Sequence, residues 1–245
     1  MAHIIQPQKW LRQPSTPTLI DRAHPLAANL CGTLSFSGAY HPLNAVTGQL
    51  STNGYGYTGI TRVVTPAGIG YRYGGSGYNS VSALSGVQTH NKRSSLLVVF
   101  TRASSGAGGT MGIIQGTSSS VFGWLELLAD GTVRATTGSP FNFPSFTTVN
   151  AAKLNEINVA VLCVDGNAGF ASQRLYLNGV LEAETTATTS GGFTPTGLRW
   201  GNNALGTMVL HHFAAYIGKA LSHDEALELS RNPWQVFRPQ KRVTF

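Results

Sequence analysis

The segment 94–102, SSLLVVFTR, places five large apolar residues in a row, Leu96 to Phe100. A run of that length between polar flanks predicts a strand covered on both faces. Further strands are read at 30–36, 60–64, 69–73, 110–116, 121–128, 132–137, 156–164 and 207–217. Asp130-Gly131 joins 121–128 to 132–137 through a tight turn. Asn178-Gly179 marks a hairpin within QRLYLNGVLEAE, 173–184. A strict two-residue turn there sets Leu177 opposite Val180 and Leu175 opposite Glu182, mixing an apolar and a charged residue on one face. A bulge or a longer turn is therefore expected to restore the register.

One helix interrupts the strand pattern. Ser222 and Glu225 form an S-x-x-E capping pattern, Asp224 adds acid to the first turn, and Asn232-Pro233 ends the helix. Trp234 and Phe237 follow and offer apolar side chains to a sheet edge. Residues 1–20 read as an extended arm, because Pro7, Pro14 and Pro17 block helix and ladder donation. No fixed-period repeat and no linker is visible. The organisation expected is an arm over 1–20, one all-β domain over 21–237 and a basic tail over 238–245.

Composition sharpens this. The 245 residues include 29 glycines and only 11% charged residues, against about a quarter in ordinary soluble chains. Short strands and tight turns follow. No apolar run is long enough to cross a bilayer, so no membrane insertion is expected. The start lacks the apolar stretch of a secretory signal, and no N-x-S/T sequon occurs, so maturation without export is expected. Cys31 and Cys163 are the only cysteines, with no C-x-x-C pair for a metal. Two reduced, partly buried thiols are expected, though a disulfide between them is open.

Charge is unevenly placed. Residues 1–125 hold eight Lys/Arg against one acid, Asp21, while 126–230 hold five against nine. Residues 231–245 add Arg231, Arg238, Lys241 and Arg242 with no acid. The N-terminal half and the tail thus favour an acidic partner, unless these charges are merely dispersed over a solvated surface. The basic residues form no recognised nucleic-acid module, so nucleic acid is not the partner expected.

LYLNGVLEAE, then LRWGNN, then FAAYIGKALSHDEALELSRNPWQVF resembles the end of a LamG-type, concanavalin A-like lectin/glucanase jelly roll. Leu198 to Gly201 stand for that family's "l-x-i-G" strand and Ala220 to Glu225 for its helix start. Upstream, IGYRYGGSGYNSV (69–81) is similar to the family's "G-x-x-l-x-F-d-G-s-x-d-y-v", with Tyr73 for the usual Phe and Gly74 for the usual acid. TLIDRAHPLAANL (18–30), NAVTG (44–48) and the NPWQVF ending resemble LamG-containing proteins encoded by tailed phages. The resemblance implies a jelly-roll sandwich of two antiparallel sheets with one short C-terminal helix. It also implies a virion location, with the host cytoplasm as the site of assembly. It does not imply an activity, because the group includes lectins, glucanases and structural modules.

The chemistry looked for is mostly missing. Glucanases of this superfamily carry an E-x-D-x-x-E strand, since glycoside hydrolysis needs two carboxylates flanking the bond. Here Glu182-Ala183-Glu184 has Ala187 in the third place, and two alternating acids read as a solvent face. Glu126 and Glu156 stand isolated in apolar strand contexts. His211 and His212 are adjacent on a strand and point to opposite faces, one expected buried and one exposed. No Asp cluster matches a calcium site. No enzyme activity, metal or cofactor is expected.

Binding residues are clearer. Tyr55, Tyr57, Tyr71, Tyr73 and Tyr78 fall close together. Tyr71 and Tyr73 read as strand residues, whereas Tyr55, Tyr57 and Tyr78 suit a glycan or protein interface. In the arm, Trp10 and Leu11 sit between Lys9 and Arg12, and the tail repeats the mix with Arg238, Lys241, Arg242 and Phe245. These eight residues are read as partner-docking positions. The alternative for the arm is that it folds back and caps its own sandwich. Two roles follow: a non-enzymatic protein on a tailed-phage virion (capsid decoration or tail-associated), or a carbohydrate-binding module for adhesion to the host. The partners are other virion proteins, further copies of the chain, or a host surface glycan.

Overall fold

The computed structural model describes residues 13, 20–35, 42–53, 60–65, 68–73, 79–81, 84, 93–106, 109–116, 121–137, 145–167, 170–188, 195–200 and 209–237. Two antiparallel sheets face each other. With strands numbered in chain order, the larger sheet runs β15 (Val180–Thr188), β14 (Phe170–Leu177), β13 (Ile157–Asn167), β8 (Arg93–Arg102), β17 (Val209–Ile217), β1 (Leu30–Ser35), β2 (Leu43–Asn44), β3 (Gln49–Leu50). It also holds β6 (Gly68–Tyr73), paired with β17, and β5 (Ile60–Thr65), paired with β6. The smaller sheet runs β12 (Phe146–Thr147), β11 (Val133–Thr137), β10 (Val121–Leu127), β9 (Gly109–Gly116), β16 (Pro195–Trp200), β7 (Asn79–Val81), β4 (Thr52–Asn53). Spatial neighbours are distant in sequence, β8 beside β17 and β16 beside β9, as in a jelly roll.

The run at 94–102 is apolar throughout because its strand is buried on both sides. Leu96, Val98 and Phe100 face the other sheet and meet Met111, Ile114, Leu125 and Val133. Leu97 and Val99 face outward into a second apolar layer with Val159, Val161, Phe213 and Ala215. The lid of that layer comes from both ends of the domain: Ile20, Leu26 and Leu30 from one, Leu221, Leu229, Trp234 and Phe237 from the other. Trp234 and Phe237 thus cover a sheet face and not the edge expected, with Phe237 edge-on to Phe213 at 5.2 Å between ring centres. Cys31 belongs to the inner layer and Cys163 to the outer. Both are free, and lying on opposite faces of one sheet they have no route to pair. Burial pushes both thiols up, which keeps them protonated.

The two turns read from the sequence hold the sheets in register. Asn178 and Gly179 both take left-handed backbone angles, φ 52° and 83°, as a two-residue hairpin turn needs. Leu177 then faces Val180 and Tyr176 faces Leu181, but Leu175 faces Ala183. The expected bulge is therefore present, and Glu182 is the residue it leaves over. Around Asp130-Gly131 the chain turns over 128–132, with Leu128 donating to the Thr132 carbonyl at 2.8 Å. Gly131 sits at φ 93°, against the buried Arg102 guanidinium, which a Cβ there would overlap. The helix α1 (His223–Arg231) begins with the full capping box: Ser222 accepts from the Glu225 N–H, and Glu225 accepts from the Ser222 N–H at 3.0 Å.

Candidate functional site

Lys9, Trp10, Leu11, Arg12, Arg238, Lys241, Arg242 and Phe245, with Tyr55, Tyr57 and Tyr78, lie outside the described residues. Described instead are the points where the two ends join the body. Ile20 bridges Phe237 in antiparallel fashion, and the Asp21 N–H donates to the Val236 carbonyl at 2.8 Å. The first residue after the arm's basic cluster, Gln13, is buried. Its Oε1 accepts from the Ile69 N–H at 2.6 Å and its Nε2 donates to the His212 carbonyl at 3.3 Å. Gln13 thereby links β6 to β17. Tyr71 is fully buried, as expected of a strand residue.

The carboxylates and histidines singled out in the sequence carry structural work. Glu182, turned out by the bulge, accepts the N–H groups of Val149 and Asn150 at 3.1 and 2.9 Å and the Asn150 amide at 3.0 Å. This ties the loop after β12 of one sheet to β15 of the other. Glu184 is exposed and lies across from Arg174 on β14. His211 and His212 are both buried, against the expectation of one exposed ring. The reason is that β17 is covered on both faces. The His212 Nδ1 lies 3.1 Å from the Ile69 carbonyl, which can only accept, so Nδ1 carries the proton. Nε2 then accepts from the Thr101 hydroxyl at 2.8 Å. Burial pushes His212 down to about 4 and His211 down to about 3, with His212 adding to the shift at His211. Among the described residues no three His, Cys, Asp or Glu side chains group to hold a metal.

A different surface gathers binding chemistry. On β10, Gly123, Leu125 and Leu127 are buried while Trp124 and Glu126 are half-buried, because alternate residues point to opposite faces. On β11, Arg134 and Thr136 point the same way as Trp124 and Glu126. The register sets Trp124 opposite Thr136 and Glu126 opposite Arg134. Both Arg134 Nε and Nη2 donate to one Glu126 oxygen, at 2.6 and 2.5 Å. Their side chains retain 41% and 18% exposure. Arg134 Nη1 and the second Glu126 oxygen have no partner among the described residues. Continuing the Trp124 row across the sheet, position 113 of β9 comes next, then Arg199 of β16 and Ser80 of β7. Arg199 and Ser80 are half-buried. The helix α1 packs on the other sheet, through Ala226 and Leu229.

Sequence reading set Glu126 apart as isolated and did not name Trp124, Arg134 or Arg199. The signal for the first two was present. A turn centred on Asp130 pairs positions equidistant from it, which sets 126 against 134 and 124 against 136.

The sequence matches no protein-family profile and no curated protein. Its structure is similar to solved β-sandwiches. A Trypanosoma rangeli sialidase in complex with 2,3-difluorosialic acid aligns with a TM-score of 0.61 at 15% identity, over 85% of this chain and 34% of that one. The receptor-binding domain of botulinum neurotoxin type G aligns with a TM-score of 0.60 at 11% identity, over 83% of this chain and 51% of that one. This chain spans a third to a half of those proteins' lengths. At such identities the likeness is one of fold, a β-sandwich of two antiparallel sheets.

Proposed function

We propose that the chain is a non-catalytic docking module on the surface of a tailed-phage virion, held there by its arm and tail. The carrying observation is the Ile20–Phe237 bridge. It sets Ile20 and Phe237 side by side over the outer face of the larger sheet. Lys9 and Arg12 precede this junction in the chain and Arg238, Lys241 and Arg242 follow it, with no acid at 1–20 or 238–245. Trp10, Leu11 and Phe245 add the aromatic and apolar anchors that dominate many interfaces. Such a set suits an acidic shell, with a dependence on salt. The virion setting rests on the resemblance to LamG-containing phage proteins. With it goes a proposed location in the virion, and in the host cytoplasm during assembly.

The test is electron microscopy of particles produced by cells that encode this chain, with the chain tagged. Tagged density at regular sites on a capsid or tail is the expected result, and its loss when Lys9, Arg12, Arg238, Lys241 and Arg242 are all changed to Glu supports docking through the ends. Particles without the tag overturn the virion role.

A second role, binding a glycan on the host surface, is favoured by the Trp124–Arg134–Glu126 face. The sandwich it belongs to is shared with the receptor-binding domain of a neurotoxin and with part of a sialidase. The face lies on the opposite side of the sandwich from the Ile20–Phe237 bridge, so both roles are compatible in one molecule.

A further inference from the structure

We infer that the outer face of the smaller sheet is a binding site for a carboxylate-bearing oligosaccharide, centred on Trp124 between the Glu126–Arg134 pair and Arg199. This gives the glycan role above a place and a ligand class, and it rests on that role. Among the described side chains of this face, the Trp124 indole stands with the hydroxyls of Thr136 and Ser80 and the charged groups of Glu126, Arg134 and Arg199. A protein partner would be met by several large apolar groups, yet among the described residues the exposed ones that lie on strands, Leu50, Val64, Val180 and Leu181, belong to the larger sheet. An indole of intermediate exposure set in a polar surface offers what a sugar ring needs, an apolar plate beside donors and acceptors.

The polar groups are arranged for that use. Arg134 is held by Glu126 through one edge of its guanidinium, at 2.6 and 2.5 Å. Its Nη1 and the second Glu126 oxygen remain as one donor and one acceptor, two residues along their strands from Thr136 and Trp124. Sugar hydroxyls both donate and accept, and can meet either group. The held guanidinium also loses less freedom on binding than an unsupported one would.

Charge sets the ligand class. Among the described residues of this face the charged side chains are Arg134, Arg199 and Glu126, a net positive set. Arg199 sits two strands from Trp124, about 10 Å at ordinary strand spacing. A sugar stacked on Trp124 therefore reaches Arg199 through its neighbour in an oligosaccharide. A carboxylate on that neighbour is complementary to the guanidinium.

The test uses the full chain with tetrasaccharides of polygalacturonate and alginate, and neutral cellotetraose and chitotetraose for comparison, by titration calorimetry. The acidic tetrasaccharides should bind, and Trp124→Ala and Arg199→Gln should each weaken them at least tenfold. Thermal melting confirms folding of each variant, and Arg199→Gln serves alone should Trp124→Ala not fold. Wild-type binding that both variants keep would move the site elsewhere while leaving the glycan role standing. Equal binding of neutral and acidic chains would overturn the acidic class. No binding by the wild type to any of the four would overturn both site and glycan role, leaving attachment through the ends untouched.

Discussion

The Glu182 carboxylate holds Asn150 twice, by its backbone N–H at 2.9 Å and by its side-chain amide at 3.0 Å. One residue left over by a bulge in β15 thus clips the loop after β12 onto the larger sheet. Hydrogen bonds to an ionised acceptor are stronger than neutral ones. Here solvent access reduces their worth. Glu182→Ala should lower stability by about 1 kcal/mol, read as a reduced urea midpoint with unchanged slope. The same occupation of Glu182 removes it from hydrolysis. No reducing sugar should be released from β-glucans, and activity that vanished on Glu184→Gln would contradict this.

Acid should destabilise the fold through the buried His211 and His212. Folded, they titrate near 3 for His211 and near 4 for His212; unfolded, they titrate near the ordinary value of about 6.5. Between these values the unfolded chain binds protons that the folded chain refuses. Stability is therefore complete above about pH 6.5 and falls as pH drops toward 4 and then 3, by an order of several kcal/mol in all. Urea midpoints at pH 7.5, 5.5 and 4.5 should decline in that order. His212→Gln should give a shallower decline, and an equally steep one would show that His212 is not a source.

What was legible in the sequence depended on how local its cause was. Leu96 to Phe100 announced a doubly covered strand because each face demands its own apolar residues. The Glu182 bulge could be foreseen because a two-residue turn fixes which residues meet. Strands of two or three residues, such as Leu43–Asn44 and Phe146–Thr147, carry no period and were missed. The burial of both His211 and His212 was misjudged because the lid over β17 comes from residues far away in the chain. Trp124 and Arg134 needed only the turn between them. Arg199 joins them through the pairing of β16 with β9, a long-range contact that no local pattern encodes.

Ser222→Ala should cost about 1 kcal/mol. The Glu225 N–H loses its side-chain acceptor, 3.2 Å away, and the reciprocal bond from Glu225 is left without its partner half. Because α1 lids the outer apolar layer through Ala226 and Leu229, the loss should appear in the global melting midpoint. A midpoint equal to wild type would show that the cap contributes nothing.

Gly131→Ala should be more damaging, by about 2 kcal/mol or more. Its φ of 93° lies where a Cβ is strained. That Cβ would also overlap the guanidinium of Arg102, which donates to the Ala152 carbonyl at 3.2 Å. Arg102 belongs to β8 of the larger sheet and Gly131 to a turn of the smaller, so their contact joins the two layers. Combining Gly131→Ala with Arg102→Ala separates the causes: a double variant no worse than Arg102→Ala alone would assign the damage to the clash, and an additive one to backbone strain.

The arm has two parts with different work, and truncation should separate them. Trp10 and its basic neighbours were read as docking residues, with folding back onto the sandwich as the alternative. Gln13, directly after them, is buried and bonded to both β6 and β17 through Ile69 and His212. Removing it leaves the Ile69 N–H and the His212 carbonyl without that partner, a loss of about 1–3 kcal/mol where water does not replace it. It also removes the residue that secures the histidine-bearing strand. Deleting residues 1–12 keeps Gln13, so the melting midpoint should stay near wild type while attachment to particles is lost. Deleting residues 1–17 takes Gln13 as well, and the midpoint should fall by several degrees. Gln13→Ala in the full chain should reproduce that fall without the loss of attachment. A 1–12 deletion that melts as early as the 1–17 deletion would mean that Trp10 and Leu11 cap the sandwich themselves. One that attaches at normal occupancy would end the docking role of Lys9, Trp10, Leu11 and Arg12.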